Sequence, residues 1–273
     1  MALRITTNIE AMNATRNLQS TQTALSKSME RLSSGYRINR GADDAAGLGI
    51  SESMRAQIRG LAQAQRNIQD GISLVQTAEG NLNQVHSMLQ RMRELAVQSG
   101  NGAISAQGRA AIQTEINGLV SEIDRIGREA SFNGVALLSH STGVPITFQV
   151  GANDGEVIGI SLISLQSSLT AAAGAQFWDL SGTAPISAID AAVNLISDLR
   201  STFGAVQNRL ENSMAVQAAY QENLTAAESR IRDVDMAEEM VQLTKNQILS
   251  QAGQAMLAQA NQQPSQVLNL LRG

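Results

Sequence analysis

His86 and His140 are the only imidazoles in the 273-residue chain, and the chain has no cysteine. Neither histidine sits in an H-E-x-x-H pattern, so the spacing that would place two zinc ligands on one helix face is missing. With no thiol there is no disulfide framework, no thiolate metal site and no cysteine nucleophile. Asp43-Asp44 is the one adjacent pair of aspartates. Two carboxylates side by side could do acid–base work, but they precede a long apolar-periodic segment, where capping free helix amides is the simpler role. Gly41, Gly47, Gly49 and Gly60 form no phosphate loop, because no Gly-Lys-Ser/Thr follows them. Asn13-Ala14-Thr15 and Asn223-Leu224-Thr225 match the glycosylation sequon inside expected packing helices. Nothing here builds an active site, and the sequence predicts neither catalysis nor a cofactor.

The elements that carry these residues are long helices. Pro145, Pro185 and Pro264 are the only prolines, so residues 1–144 and 186–263 are free of them, and Pro264 marks the expected end of the last helix. Met54, Leu61, Ile68, Val75, Leu82, Leu89 and Ala96 recur at steps of seven, with Ile58, Ile72, Val85 and Met92 widening the stripe. This predicts a helix over about 44–99, stopped by Gly100-Asn101-Gly102. Ile112, Ile116, Leu119, Ile123 and Ile126 predict a second over about 104–129. Ile189, Ile196, Phe203, Leu210, Gln217, Leu224 and Ile231, again at steps of seven, predict a third over about 186–232. Matching stripes let three helices bury one another. Between the second and third, a β-rich segment over about 132–185 is expected. It centres on a hairpin of Ile146–Val150 and Val157–Leu162 across the Asn/Asp/Gly-rich turn 151–155.

The two ends carry narrower stripes. Ala11, Leu18, Leu25 and Leu32 recur by sevens beside Ile5, Ile9, Met12 and Met29; Val234, Val241, Ile248 and Ala255 do so beside Met240, Leu249 and Met256. Such stripes are too thin to hold lone helices. They predict that the ends pair, and that apolar area is left over for further partners. The fold class is therefore mainly α: a long-helix bundle or coiled coil with paired terminal helices and a small β-hairpin region mid-chain.

Composition agrees. Aromatics are 3% of the chain against 43% hydrophobic residues overall, which disfavours a conventional enzyme core. No apolar run reaches the roughly 18 residues a membrane span needs, and a formal charge of −4 gives no case for nucleic acid. Eighteen of the 20 basic residues are arginine. That suits bidentate pairing at subunit contacts, and a genomic base bias explains it equally well.

Several long motifs then become recognisable. Leu32-Ser33-Ser34-Gly35-Tyr36-Arg37-Ile38-Asn39, followed by Asp43-Asp44-Ala45-Ala46-Gly47-Leu48, closely resembles the amino-terminal signature of bacterial flagellin. So do Gln57-Ile58-Arg59-Gly60-Leu61 and Leu89-Gln90-Arg91-Met92-Arg93-Glu94-Leu95. Ser229-Arg230-Ile231-Arg232-Asp233 and Ala255-Met256-Leu257-Ala258-Gln259-Ala260-Asn261-Gln262 resemble its carboxyl end.

The resemblance implies a secreted subunit that polymerises into the extracellular flagellar filament and serves swimming. It implies residues 1–40 and 233–273 as the filament-core helical pair and 41–232 as a helical spoke domain. Both ends are then expected to be largely disordered in the free subunit and helical in the filament. The short middle implies a core-only form with a thin, smooth filament. Ile5, Ile9, Leu18, Leu25, Leu32, Val234, Val241, Ile248, Leu249 and Met256 are the expected polymerisation residues. The resemblance further implies an export chaperone on the carboxyl-terminal helix, and filament-cap and hook-junction partners. It also implies a flagellin-sensing Toll-like receptor recognising Arg91, Leu95 and Glu115, and a Leu-rich end, Val267 to Leu271, read by cytosolic sensors. No membrane insertion is expected. Met1 to Thr7 lead into a polar helix with no apolar signal core, which fits export without a cleaved signal. A hook–filament junction protein is the runner-up, and a coiled-coil adaptor or signalling protein a more distant one.

Overall fold

The computed structural model describes residues 8–139, 145–162, 164–174, 179 and 185–272, the side chains of 185 and 263–272 excepted. Within them the chain forms α1 (Ile9–Ser34), α2 (Ala45–Ser99), α3 (Ala106–Glu129), β1 (Ser131–Phe132) and β2 (Val135–Ala136). Next come β3 (Ile146–Gln149), β4 (Val157–Ile160), α4 (Leu165–Ala173), α5 (Pro185–Arg232) and α6 (Met236–Arg272). These group into two compact units, Gln57–Glu222 and the pair Met1–Ala56 with Asn223–Gly273.

The Gln57–Glu222 unit is built around the steps of seven. Leu61, Ile68, Val75, Leu82, Leu89 and Ala96 of α2 are all buried. From Ile68 onward they share a core with Ile112, Ile116 and Ile123 of α3 and with Ile189, Ile196, Phe203 and Leu210 of α5. A seven-residue repeat holds these side chains on one face for many turns, which is why a chain poor in aromatics still fills a core. Pro185 stands at the first position of α5, where its missing N–H costs nothing.

Among the described residues the middle of the chain holds a helix as well as strands. The expected hairpin forms, with Ile146 paired to Ile160 and Gln149 to Val157. It lies against α2: Asn67 Nδ2 donates to the Gln149 carbonyl at 3.2 Å. A Cβ added at Gly71 would stand 3.3 Å from the Phe148 ring and from Leu210, so glycine is what lets hairpin and helices meet there. A second, smaller hairpin pairs β1 with β2. Its turn is Asn133-Gly134, both at positive φ (49° and 78°), the conformation that two-residue hairpin turns favour. The remainder of the segment contains α4, whose Leu165 and Leu169 are buried one turn apart. Its helical signals in a Ser/Thr-rich stretch are Leu165 and Leu169 at i, i+4, the cap residue Ser164 and the run Ala171-Ala172-Ala173.

In the other unit α1 and α6 pack as an antiparallel pair. Asn8 caps α1 by accepting from the Ala11 N–H, and its amide donates across to the Ala260 carbonyl at 2.8 Å. Near the far end Arg31 reaches Glu239 at 3.4 Å. α1 ends on Gly35 in the left-handed region (φ 75°), whose N–H returns to the Arg31 carbonyl. There the two crossings of the chain are stitched: Arg37 N–H donates to the Arg232 carbonyl at 2.7 Å and Val234 N–H to the Gly35 carbonyl at 3.1 Å. The Arg232 guanidinium lies 4.8 Å over the Tyr36 ring and 2.7 Å from Glu52. Because these contacts tie 35–37 and 231–234 to the start of α2, the unit extends to Ala56 and back to Asn223, beyond the 1–40 and 233–273 limits expected from sequence.

Two local expectations are refined. Asp44 alone caps α2, accepting from the Gly47 N–H at 2.9 Å. Asp43 turns back instead: it meets Lys27 at 2.6 Å and accepts from the N–H groups of Arg40 and Asn39. The Lys27 ammonium and these donors hold its carboxyl below the usual aspartate range, against a smaller opposing effect of burial. This pairing stabilises the fold above the ordinary aspartate pKa and is lost as pH falls through the lowered one. Pro264 does not end the last helix, since α6 continues to Arg272. Proline removes one bond from the ladder, and a 37-residue helix absorbs that loss.

Candidate assembly surface

Burial along the terminal pair defines which face of each helix the partner covers. On α1 the half-buried and buried positions Ala11, Ala14, Leu18, Thr21, Leu25, Ser28 and Leu32 alternate by three and four. On α6 the same rhythm runs through Glu239, Leu243, Asn246, Ser250, Gly253, Leu257 and Ala260. This is a coiled-coil seam made largely of small and polar residues. A Cβ added at Gly253 would lie 3.3 Å from Leu18 Cδ1, so the helices approach closely where glycine permits it. Ser28, Ser250 and Glu239 are buried in the pair.

Leu18, Leu25, Leu32, Leu243 and Leu257 are the large apolar residues of the seam, and further large apolar residues lie outside it. Ile9, Met12 and Met29 of α1, and Met236, Met240, Val241, Ile248, Leu249 and Met256 of α6, are 47–67% exposed. At 100° per residue, Val241 and Ile248 sit roughly opposite the α6 seam, and Leu249 and Met256 flank it. The expected polymerisation residues therefore fall into two groups. Leu18, Leu25, Leu32 and Val234 are half-buried within this unit, whereas Ile9, Val241, Ile248, Leu249 and Met256 are exposed. Ile5 lies outside the described residues. The polar seam on α6 was missed in the sequence, because hydrophobic periodicity there picks out the face turned away from α1.

The expected receptor residues separate as well. Arg91 bridges Glu115 at 3.0 Å and Glu94 at 3.1 Å, at the surface, and both carboxylates raise its already high pKa. Leu95 is 1% exposed and belongs to the core. The structure thus brings Arg91 and Glu115 together at the surface and keeps Leu95 in the core. The side chains of Val267 to Leu271 lie outside the described set. His86 contacts Gln90 and nothing metal-like, and among the described residues no cluster of His, Asp or Glu could hold an ion. His140 lies outside the described residues.

The family model for the bacterial flagellin N-terminal helical region matches residues 5–142, and that for the C-terminal helical region matches 186–271. The chain belongs to the bacterial flagellin family. A flagellin of Halalkalibacterium halodurans is 54% identical over 268 residues, covering 97% of this chain and 98% of the relative. A Bacillus subtilis flagellin is 48% identical over 304 residues, covering 99% and 100%. Among solved structures, a putative flagellar hook-associated protein from Vibrio parahaemolyticus aligns with a TM-score of 0.53 at 17% identity. It covers 70% of this chain and 100% of that one, a likeness of fold alone. The two flagellin regions and these relatives make the chain a flagellar filament subunit of short, core-only form, and nothing favours a junction protein or an adaptor over it. Among the described residues no helix is long and apolar enough to cross a membrane.

Proposed function

We propose that this flagellin polymerises by burying the outer apolar faces of its terminal helices between subunits. The observation that carries this is the inversion on α6: small and polar residues fill the seam with α1, while Val241, Ile248, Leu249 and Met256 face solvent. A monomer gains nothing from that arrangement. Each large side chain buried on assembly contributes about 1.5–3 kcal/mol, enough in sum to offset the ordering of two terminal segments. Residues 1–40 and 233–273 act as the filament-core pair, largely disordered until assembly orders them, and 41–232 as the spoke domain. Sheared filament fragments supplied with purified subunit should lengthen under the electron microscope. Fragments that stay the same length would overturn the proposal.

The subunit leaves the cell for the filament, its carboxyl-terminal helix held until then by an export chaperone, and meets the filament-cap and hook-junction proteins at the filament ends. It serves structure and motility and has no enzymatic role. A second reading, recognition by the flagellin-sensing Toll-like receptor, is favoured by the exposed Arg91–Glu115 pair. Leu95 would then support that surface from below. Arg91→Ala with Glu115→Ala should lower receptor activation by the monomer at least about tenfold, the effect of losing one charge-assisted contact pair. Unchanged activation in a reporter-cell assay would remove these residues from the receptor site.

A further inference from the structure

Half of the methionines stand on the proposed assembly surface, and we infer that they form an oxidation site that controls polymerisation. The chain has ten methionines. Met12, Met29, Met236, Met240 and Met256 lie on or beside the two terminal helices and are half to two-thirds exposed. Met92 is fully buried in the bundle, and Met88 and Met214 are packed against that core. Oxidation of a thioether follows its exposure, so the chain sorts its methionines into a reactive set at the surface that must become apolar contact and a protected set in the core.

The chemistry is a two-electron oxygen transfer from hydrogen peroxide. The thioether sulfur attacks one peroxide oxygen, the O–O bond breaks, an S–O bond forms, and the other oxygen leaves as water. Sulfur is oxidised and peroxide is reduced. The product is a polar, chiral sulfoxide where the interface requires a flexible apolar side chain. An oxidised subunit keeps its bundle, because Met92 is fully buried and Met88 and Met214 are partly buried against the core, and it loses its ability to join the filament. Once incorporated, a subunit shields the same five residues. Reduction by a thiol-driven methionine sulfoxide reductase removes the oxygen as water, with two electrons and two protons, and makes the block reversible. The inference rests on the proposed burial of these faces during assembly.

The test treats purified full-length subunits and grown filaments with hydrogen peroxide and follows each methionine by peptide mass spectrometry. The five terminal methionines should oxidise in the free subunit at least about tenfold faster than Met92, and in the filament at least about tenfold slower than in the free subunit. Oxidised subunits should extend seeds at least about tenfold more slowly, and reductase treatment should restore the rate. A variant with all five replaced by leucine, a volume-conserving change, should extend seeds after peroxide as fast as before. Oxidation that leaves elongation unchanged, with protection in the filament intact, would overturn the control by sulfoxide while leaving burial standing. Equal reactivity of the five in subunit and filament would overturn burial itself and this inference with it. If the leucine variant fails to extend seeds, the reductase rescue of the oxidised natural chain decides the matter, and no rescue overturns the inference.

Discussion

Ile248→Asp should abolish elongation of filament seeds while the free subunit keeps its helix content and its unfolding temperature. Ile248 is well over half exposed on the face of α6 turned away from α1, so a carboxylate there is solvated in the monomer and costs little. In the filament the same position is proposed to be buried. The substitution then forfeits about 1.5–3 kcal/mol of apolar burial and adds the penalty of desolvating an unpaired charge. A combined loss of about 4 kcal/mol per subunit raises the critical concentration for growth about a thousandfold. Sedimentation after seeding, alongside circular dichroism of the monomer, reads both halves of the result. Leu25→Asp should stop growth by another route, because Leu25 is half-buried in the α1–α6 seam that assembly orders; the bundle of the free subunit should stay folded. Seeded growth of Ile248→Asp at the natural rate would place that face outside the interface.

Phe203→Ala tests the other unit. Phe203 is 2% exposed and the largest of its fully buried side chains, in the core shared by α2, α3 and α5. Truncation of a buried phenylalanine removes about 3–5 kcal/mol, part transfer and part cavity. For a unit of this size about 2–4 °C is lost per kcal/mol, so the thermal midpoint should fall by about 10 °C. A shift below about 2 °C by calorimetry would mean that the core closes around the gap, or that stability resides elsewhere than in this face of α5.

The sequence was most informative where packing uses large side chains. The stripe from Leu61 to Ala96 and its counterpart from Ile189 to Leu210 are visible because every seventh residue is both apolar and buried. The terminal pair was legible as a pair but not in its orientation. On α1 the stripe Ala11, Leu18, Leu25 and Leu32 is the seam, but on α6 the seam uses Asn246, Ser250 and Gly253, residues that carry no hydrophobic signal, so there Val241 and Ile248 mark the free face instead. Arg91 and Leu95, one turn apart, look like one face. They straddle the boundary between surface and core, because the buried stripe of α2 at that level includes Met92 and Ala96 on the Leu95 side. α4 lies in a Ser/Thr-rich stretch whose composition suggests strands, and its two buried leucines, its Ser164 cap and its three alanines are weak signals beside that composition.

The absence of cysteine makes the most direct test of assembly by burial straightforward. Ile248→Cys introduces a single thiol at the exposed face of α6, and its rate of reaction with a maleimide can be read in free subunits and in filaments grown from them. Burial between subunits predicts labelling at least about tenfold slower in the filament. Equal rates in the two states would contradict it.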